Sequence, residues 1–293
     1  MNAAPPLVTI AIPAYDRPEL LRETLASLAA QTHRGYEVVV CDDLRREETR
    51  RIVAEFPTER FAYVPNPGAP GAIANWNRCL RAGRAPWVTV LHEDDTLYPW
   101  WLATVAGPMQ GDAAAVAVKT VQGATPPALA APRSRAEGAL YPPRYFLKGA
   151  MTPFPGVAIR RAVAERLGGF DERWGPIADY EFWYRLACAG PVRQMDAVAA
   201  FYRVSPGQWT ERAWGRMLPL AHLLRLRIAR EQFPRSPRGG RWLARFFTYR
   251  HARAYARRFP EQPAALARAL RLGRIPLAGL PSGWVWQALK TAA

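Results

Sequence analysis

Three short stretches of this 293-residue chain concentrate side chains able to do chemistry. In WVTVLHEDD, residues 87–95, a run of apolar β-formers stops at Glu93, Asp94 and Asp95, with His92 just ahead of them. Clustered carboxylates raise one another's ionisation cost, and beside an apolar strand that cost grows, so a cation is the natural compensator. A second acid pair, Asp42 and Asp43, closes YEVVVCDD in the same way. In ADYEFWYRL, helical spacing sets Asp179, Trp183 and Leu186 near one face, and Glu181 and Arg185 on another. Each group also has a purely structural reading. Asp94 and Asp95 could be a turn pair before TLYP and His92 a solvated or core-edge imidazole, while Asp179 could cap its helix with Glu181 as a first-turn anion.

The elements that must position these acids alternate along the first half of the chain. LVTIAIP, YEVVVCDD, FAYVP and WVTVLHEDD read as strands. Between them, RPELLRETLASLAAQT carries Leu21, Leu25 and Leu28 at helical spacing, and REETRRIVAEF and GAIANWNRCLRAG also read as helices. Strands alternating with helices predict a largely parallel sheet covered on both faces, with ligands bound beyond the carboxyl ends of the strands. Both acid pairs should therefore open into one crevice. Residues 123–143, rich in Pro and Ala, are expected to loop over the sheet edge. GVAIRRAVAERLGG then predicts a short strand, a helix and a Gly-Gly stop, with Gly168 left-handed at the helix end. Another helix over ADYEFWYRLACAG and a strand in QMDAVAAFYRV follow.

Composition narrows the class. The apolar fraction of 49% and eleven Trp indicate a globular protein. Of the net charge of +16, residues 206–293 carry +14, from 17 Arg or Lys and 3 acids, so the basicity belongs to the tail. Cys41, Cys79 and Cys188 lie far apart without a CxxC pair, which fits buried thiols in a reducing compartment better than a disulfide scaffold or a zinc site. The opening MNAAPPLVTIAIPAYDRP lacks a basic leader, and no apolar run is long enough to cross a bilayer, so the expectation is a cytoplasmic protein.

Taken in order, VTIAIPAYDRPELLRETLASLAAQT, VVVCDD, NPGAPGAIANWNRCL, LHEDD, GVAIRRAVAERLGGFDERWG and ADYEFWYRL resemble the family 2 glycosyltransferases over roughly the first 205 residues. The resemblance implies an α/β domain of the GT-A fold over residues 1–205, Rossmann-like with a mostly parallel sheet flanked by helices, followed by a basic α-helical extension over 206–293. It implies an inverting transfer of a sugar from a nucleotide diphosphate sugar to a hydroxyl of a glycan or lipid-linked acceptor, in cell-envelope polysaccharide synthesis. Pro13, Tyr15 and Asp16 then line the nucleotide pocket, with Arg17 near phosphate. Asp42 and Asp43 meet the base and ribose. Asp94 and Asp95 hold the diphosphate and a divalent Mg²⁺ or Mn²⁺, Asp95 as the direct ligand, with Glu93 or His92 as alternates for the first position of the D-x-D spacing. Asp179 is the base that takes the acceptor proton, with Glu181 as second choice. Trp174 and Gly156 fall on the acceptor side, while Asn75 and Asn77 either orient the donor or brace the sheet.

The chain departs from the family pattern at three places: Leu44 and Arg45 replace the usual Gly-Ser, Ala178 replaces a Glu, and Ser205 stands where a metal-binding His is usual. In the tail, Trp214, Met217, Ala221, Leu224 and Ile228 share one helical face, opposite Arg212, Arg216, Arg227 and Arg230. Either that apolar face packs on protein, or the tail, with its terminal GLPSGWVWQAL, contacts anionic lipid at the inner face of the cell membrane. A homo-oligomer stays open. Two alternatives remain beside the transferase. A sugar nucleotidyltransferase predicts a Gly-rich basic loop that IPAYDRPE lacks, and a nucleic-acid binder predicts basic residues spread through the fold rather than confined to the tail.

Overall fold

The computed structural model describes residues 4–132, 138–150, 153–205, 207–258 and 271. Its elements in chain order are β1 (Val8–Ala14), α1 (Pro18–Ala29), β2 (Tyr36–Asp42), α2 (Glu47–Ala54), β3 (Phe61–Pro65), α3 (Ala72–Arg81), β4 (Trp87–Val90), β5 (Thr96–Leu97) and α4 (Trp101–Met109). There follow β6 (Ala115–Gly123), β7 (Gly138–Leu140), β8 (Val157–Arg160), α5 (Arg161–Arg166), α6 (Ala178–Ala189), β9 (Val192–Arg203), α7 (Trp209–Gln232) and α8 (Pro237–Arg258). They fall into two units. The first is Met1–Leu140 with Thr152–Glu172 and Arg185–Ser205, and the second is Tyr141–Met151 with Arg173–Tyr184 and Pro206–Ala293.

All the described strands belong to the first unit and form one sheet in the order β3-β2-β1-β4-β8-β6-β9-β5, with β7 also on β9. The predicted strand–helix alternation holds through β4, and there every pairing is parallel: Val8 to Ala14 of β1 align with Tyr36 to Asp42 of β2, and Val8 to Ala11 with Trp87 to Val90 of β4. Beyond β4 the sheet is mixed. β8 inserts antiparallel between β4 and β6, and β5 and β7 run antiparallel to β9. β5, joined to β4 by residues 91–95 alone, pairs with β9 and not with β4. The expected loop over 123–143 likewise ends in an edge strand, β7, although residues 133–137 lie outside the described set.

β1 is buried along its whole length because it is flanked by strands on both sides and covered on both faces. Leu21, Leu25 and Leu28 form the buried stripe of α1 and join Ile10, Ile12, Val38, Val40 and Trp101 in the core. After α5, Gly168 and Gly169 stop the helix at φ of 76° and 75°.

In the second unit α7 packs on α8 around Trp214, Leu218 and Ala252, with Met217 and Tyr255 alongside. The apolar face expected in the tail is therefore a core face: Trp214, Ala221, Leu224 and Ile228 are buried. The tail shares this unit with two earlier segments, Tyr141–Met151 and Arg173–Tyr184. Among the described residues no helix is long and apolar enough to cross a membrane. The terminal GLPSGWVWQAL lies outside the described residues.

Candidate active site

The acids of LHEDD sit in a turn just past β4. Leu91 still bonds back to Ala11, and the chain then reverses so that the Asp95 amide donates to the His92 carbonyl at 3.1 Å. Two side chains from distant parts of the first unit hold this turn. The Thr24 hydroxyl lies 2.9 Å from the Glu93 carbonyl and 2.8 Å from that of Asp95. Arg203, at the end of β9, donates its backbone N–H to Asp95 Oδ1 and its Nε to the Asp94 carbonyl, both at 2.9 Å. Its remaining nitrogens reach the Ala124 carbonyl and the Glu23 carboxylate.

The carboxylates then take separate roles. Glu93 turns toward the loop after β1 and accepts the amides of Tyr15 at 2.9 Å and Asp16 at 3.2 Å. Burial pushes its pKa up to about 7, against the pull of those two N–H groups. Glu93 is thus the strut under the expected nucleotide loop, and the imidazole of His92 is what joins the other two acids. Ligand atoms of His92, Asp94 and Asp95 lie within 4.8 Å of one another, with His92 Nδ1 3.9 Å from Asp95 Oδ2. Asp95 is fully buried, and burial, followed by the charge of Asp94, holds its carboxyl well above the usual range. Its Oδ2 and the Nε2 of His92 are buried without a hydrogen-bond partner among the described residues. The His92 ring lies against Trp76 and Phe154, and burial lowers its pKa, so the imidazole is neutral and keeps a free lone pair. Two carboxylates and a neutral imidazole suit a divalent cation, and two orphaned buried atoms are what such an ion would satisfy. Asp94 meanwhile pairs with Arg17, the residue expected near phosphate.

The acid pair after β2 is built differently. Asp42 accepts the amides of Leu44 at 3.0 Å and Arg46 at 2.6 Å, and the Tyr63 hydroxyl at 3.0 Å. This clamp holds Arg45 at φ 58°, where a non-glycine residue is strained. Asp43 accepts Asn66 Nδ2 at 2.6 Å, the Gly71 amide at 2.8 Å and the Arg78 guanidinium. The two pairs lie on either side of β1, and a chain of contacts joins them. Arg46, anchored on Asp42, pairs with Asp16 at 2.9 Å, and Asp16 donates its amide to Glu93. Pro13 is buried at the end of β1, whereas Tyr15 leaves 55% of its surface exposed. A cavity of about 460 Å³ over β2 and β3 shares Asn66 and Arg78 with the surroundings of Asp43 and includes none of His92 to Asp95.

Asn75 and Asn77 are braces: Asn75 Nδ2 donates to the Cys41 carbonyl at 3.0 Å, and Asn77 clamps both backbone groups of Phe170. Gly156 has φ 86°, and a Cβ there would lie 2.6 Å from Val118 and 2.8 Å from Ala200, so this position serves close packing of β8 on its neighbours.

In the second unit Asp179 stands in the first turn of α6, and its Oδ1 accepts the amide of Tyr180 at 2.7 Å. The residue keeps some surface open, yet its carboxyl is desolvated enough to push its pKa up to about 6. Glu181 is 1% exposed and paired with Arg227 at 3.0 Å, so its carboxylate is engaged. Trp174 is half-buried in a 3₁₀ segment just before α6.

Arg203 and Thr24, which hold the turn of residues 92–95, carry no expected site role. The only signal was a charged residue ending an otherwise apolar strand in AAFYRV.

The sequence profile of Glycosyl transferase family 2 matches residues 9–168, more than half of the chain. WfgD from Escherichia coli, named as a UDP-Glc:alpha-D-GlcNAc-diphosphoundecaprenol beta-1,3-glucosyltransferase, is 31% identical over 97 residues, 33% of this chain and 37% of that protein. The chain spans less than two thirds of the length of two curated relatives it matches, 63% and 37%. Among solved structures, residues 1–349 of S. aureus TarS in complex with UDP-GlcNAc align with a TM-score of 0.65 at 16% identity, covering 90% of this chain and 79% of that one. The mannosyltransferase PcManGT from Pyrobaculum calidifontis, in complex with GDP-Man and Mn2+, aligns with a TM-score of 0.56 at 21% identity, covering 98% and 79%. The fold is GT-A. With the ordered acids on a GT-A sheet and the profile match over most of that sheet, the chain belongs to glycosyl transferase family 2.

Proposed function

We propose that the protein is an inverting transferase that moves a sugar from a nucleotide diphosphate donor to a hydroxyl of a glycan or lipid-linked acceptor in cell-envelope polysaccharide synthesis. The observation that carries this reading is the His92–Asp94–Asp95 group, with two buried atoms left without partners beside a β1 loop held by Glu93. The three residues would hold Mg²⁺ or Mn²⁺, which supplies neutralisation of charge on the departing diphosphate. His92 would provide the imidazole that the family usually takes from the position of Ser205. Tyr15 offers an exposed ring for base stacking, and Pro13, Asp16, Asp42 and Asp43 form the rest of the donor pocket, the two buried acids chiefly by holding its loops. Arg17 would pass from Asp94 to donor phosphate when a cation takes the carboxylate. Asp179, raised toward neutrality yet ionised above pH 6, acts as the base, and Trp174 and Gly156 belong to the acceptor side.

WfgD supports the lipid-linked acceptor, since its name sets the sugar on a diphosphoundecaprenol carrier. The +14 tail supports contact with anionic lipid through the Arg-bearing faces of α7 and α8. The test is thermal shift and nucleotide release with UDP-glucose, UDP-GlcNAc and GDP-mannose, each with Mg²⁺, Mn²⁺ or EDTA. The expected result is one donor that raises Tm only with a cation, and loss of that shift in Asp95→Asn. A donor shift that persists in EDTA sinks the metal role.

A further inference from the structure

The opening turn of α6 is tied to α7 through a closed circuit of charge and hydroxyl. Glu181, 1% exposed, accepts Arg227 Nη1 at 3.0 Å. Arg227 Nε donates to Glu231 at 2.9 Å, one turn further along α7. The other oxygen of Glu231 accepts the hydroxyl of Tyr184 at 2.5 Å, which returns the circuit to α6, and Gln232 donates to that same hydroxyl at 3.1 Å. Tyr180, next in sequence to Asp179, donates its hydroxyl to the Phe146 carbonyl, and Arg225 of α7 donates Nε to the adjacent Leu147 carbonyl at 3.0 Å. The turn that carries Asp179 is therefore held from α7 both directly and by way of residues 146 and 147.

Burying a carboxylate is costly, and apolar packing would join two helices more cheaply. What an ion circuit adds is register, because a guanidinium bonded to two carboxylates in one geometry does not tolerate a slip along the helix. We propose that Arg227 is a positioning residue for sugar transfer: by fixing Glu181 and Glu231 together it sets the height and rotation of the first turn of α6, and with it the Asp179 carboxyl. The tail helix α7 thus belongs to the catalytic apparatus. This rests on Asp179 as base.

The experiment compares full-length Arg227→Met, Arg227→Lys, Asp179→Asn and the double variant Glu181→Gln/Arg227→Met. Steady-state nucleotide release uses whichever of UDP-glucose, UDP-GlcNAc and GDP-mannose the wild type turns over, and hydrogen exchange is followed in residues 178–184. An ångström-scale shift of a reacting group costs roughly 10- to 100-fold in rate. Arg227→Met should lose that much kcat at unchanged donor KM, with faster exchange over 178–184, and Arg227→Lys should recover most of both. If Arg227→Met fails to fold, the double variant, which leaves no unpaired buried charge, takes its place with the same expectation. Turnover within twofold of wild type in a folded variant overturns the inference, as does a fall in kcat matched by a rise in donor KM. Full activity in Asp179→Asn removes the base reading and this inference with it. An inactive Asp179→Asn beside a fully active Arg227→Met removes this inference alone.

Discussion

The acid pairs that end β2 and β4 share a sequence pattern and the same edge of the same sheet, yet they differ in what they touch. Every oxygen of Asp42 and Asp43 has a donor from the protein, whereas Asp95, equally buried, has one oxygen bonded and one orphaned beside His92. Burying a carboxylate is ordinary where the chain supplies N–H and guanidinium partners, and points to a ligand where the chain withholds them. The first pair is a frame for loops, and the second is a socket.

That contrast can be broken most severely at Asp43. Asp43→Ala takes the carboxylate from Arg78, Asn66 and the Gly71 amide and should cost about 3 kcal/mol in urea unfolding, the low end for a buried pair because Arg78 keeps some solvent contact. Asp95→Asn should do the reverse. Its Oδ1 still accepts the Arg203 amide and the cost of burying a charge is gone, so stability at neutral pH should hold or rise rather than fall. Turnover should nonetheless fall roughly 100-fold, about 2.7 kcal/mol in the barrier, and the Tm rise on adding Mn²⁺ should vanish. If Asp95→Asn proves as damaging to folding as Asp43→Ala, the distinction between frame and socket fails.

Asp179 sharpens the comparison, as a carboxyl raised without a cation group beside it. Turnover should fall as pH drops through about 6, where Asp179, the proposed base, takes up its proton. Its stability effect has the opposite direction. An acid whose folded pKa is raised favours the fold in its protonated form, so stability is lost as pH rises from about 4 to about 6. Asp179→Asn should recover about 2 kcal/mol at pH 8, after allowance for the partly exposed side chain, and show no gain at pH 3.5. The smallest effect is expected at Tyr63, whose hydroxyl bonds Asp42 and whose pKa is pushed up to about 12 by burial and that carboxylate. Tyr63→Phe should cost about 1 kcal/mol and leave metal binding untouched.

Much of this was legible in the amino-acid order because the signals are local. The apolar runs of β1, β2 and β4 are each buried on both faces, the leucines of α1 repeat with the helix, and Gly168 stops a helix in the way its type allows. The parallel half of the sheet followed from strand–helix alternation. The mixed half did not, because antiparallel partners such as β5 and β9 lie far apart in the chain and carry no local mark of their pairing. The same limit applied at the site. LHEDD announced a cluster of acids, but only contacts across the fold show that Glu93 serves the β1 loop, that Arg203 and Thr24 hold the turn, and that Glu181 is occupied by Arg227.

The sequence by itself determined which residue types are present, at what spacing and on which local elements, and that was enough to set acids at strand ends and a base candidate at a helix start. Tertiary structure decided which of those acids are satisfied and which are left open. The physical reason is that ionisation and ligand binding depend on partners within a few ångströms, and here those partners arrive from segments tens to more than a hundred residues away.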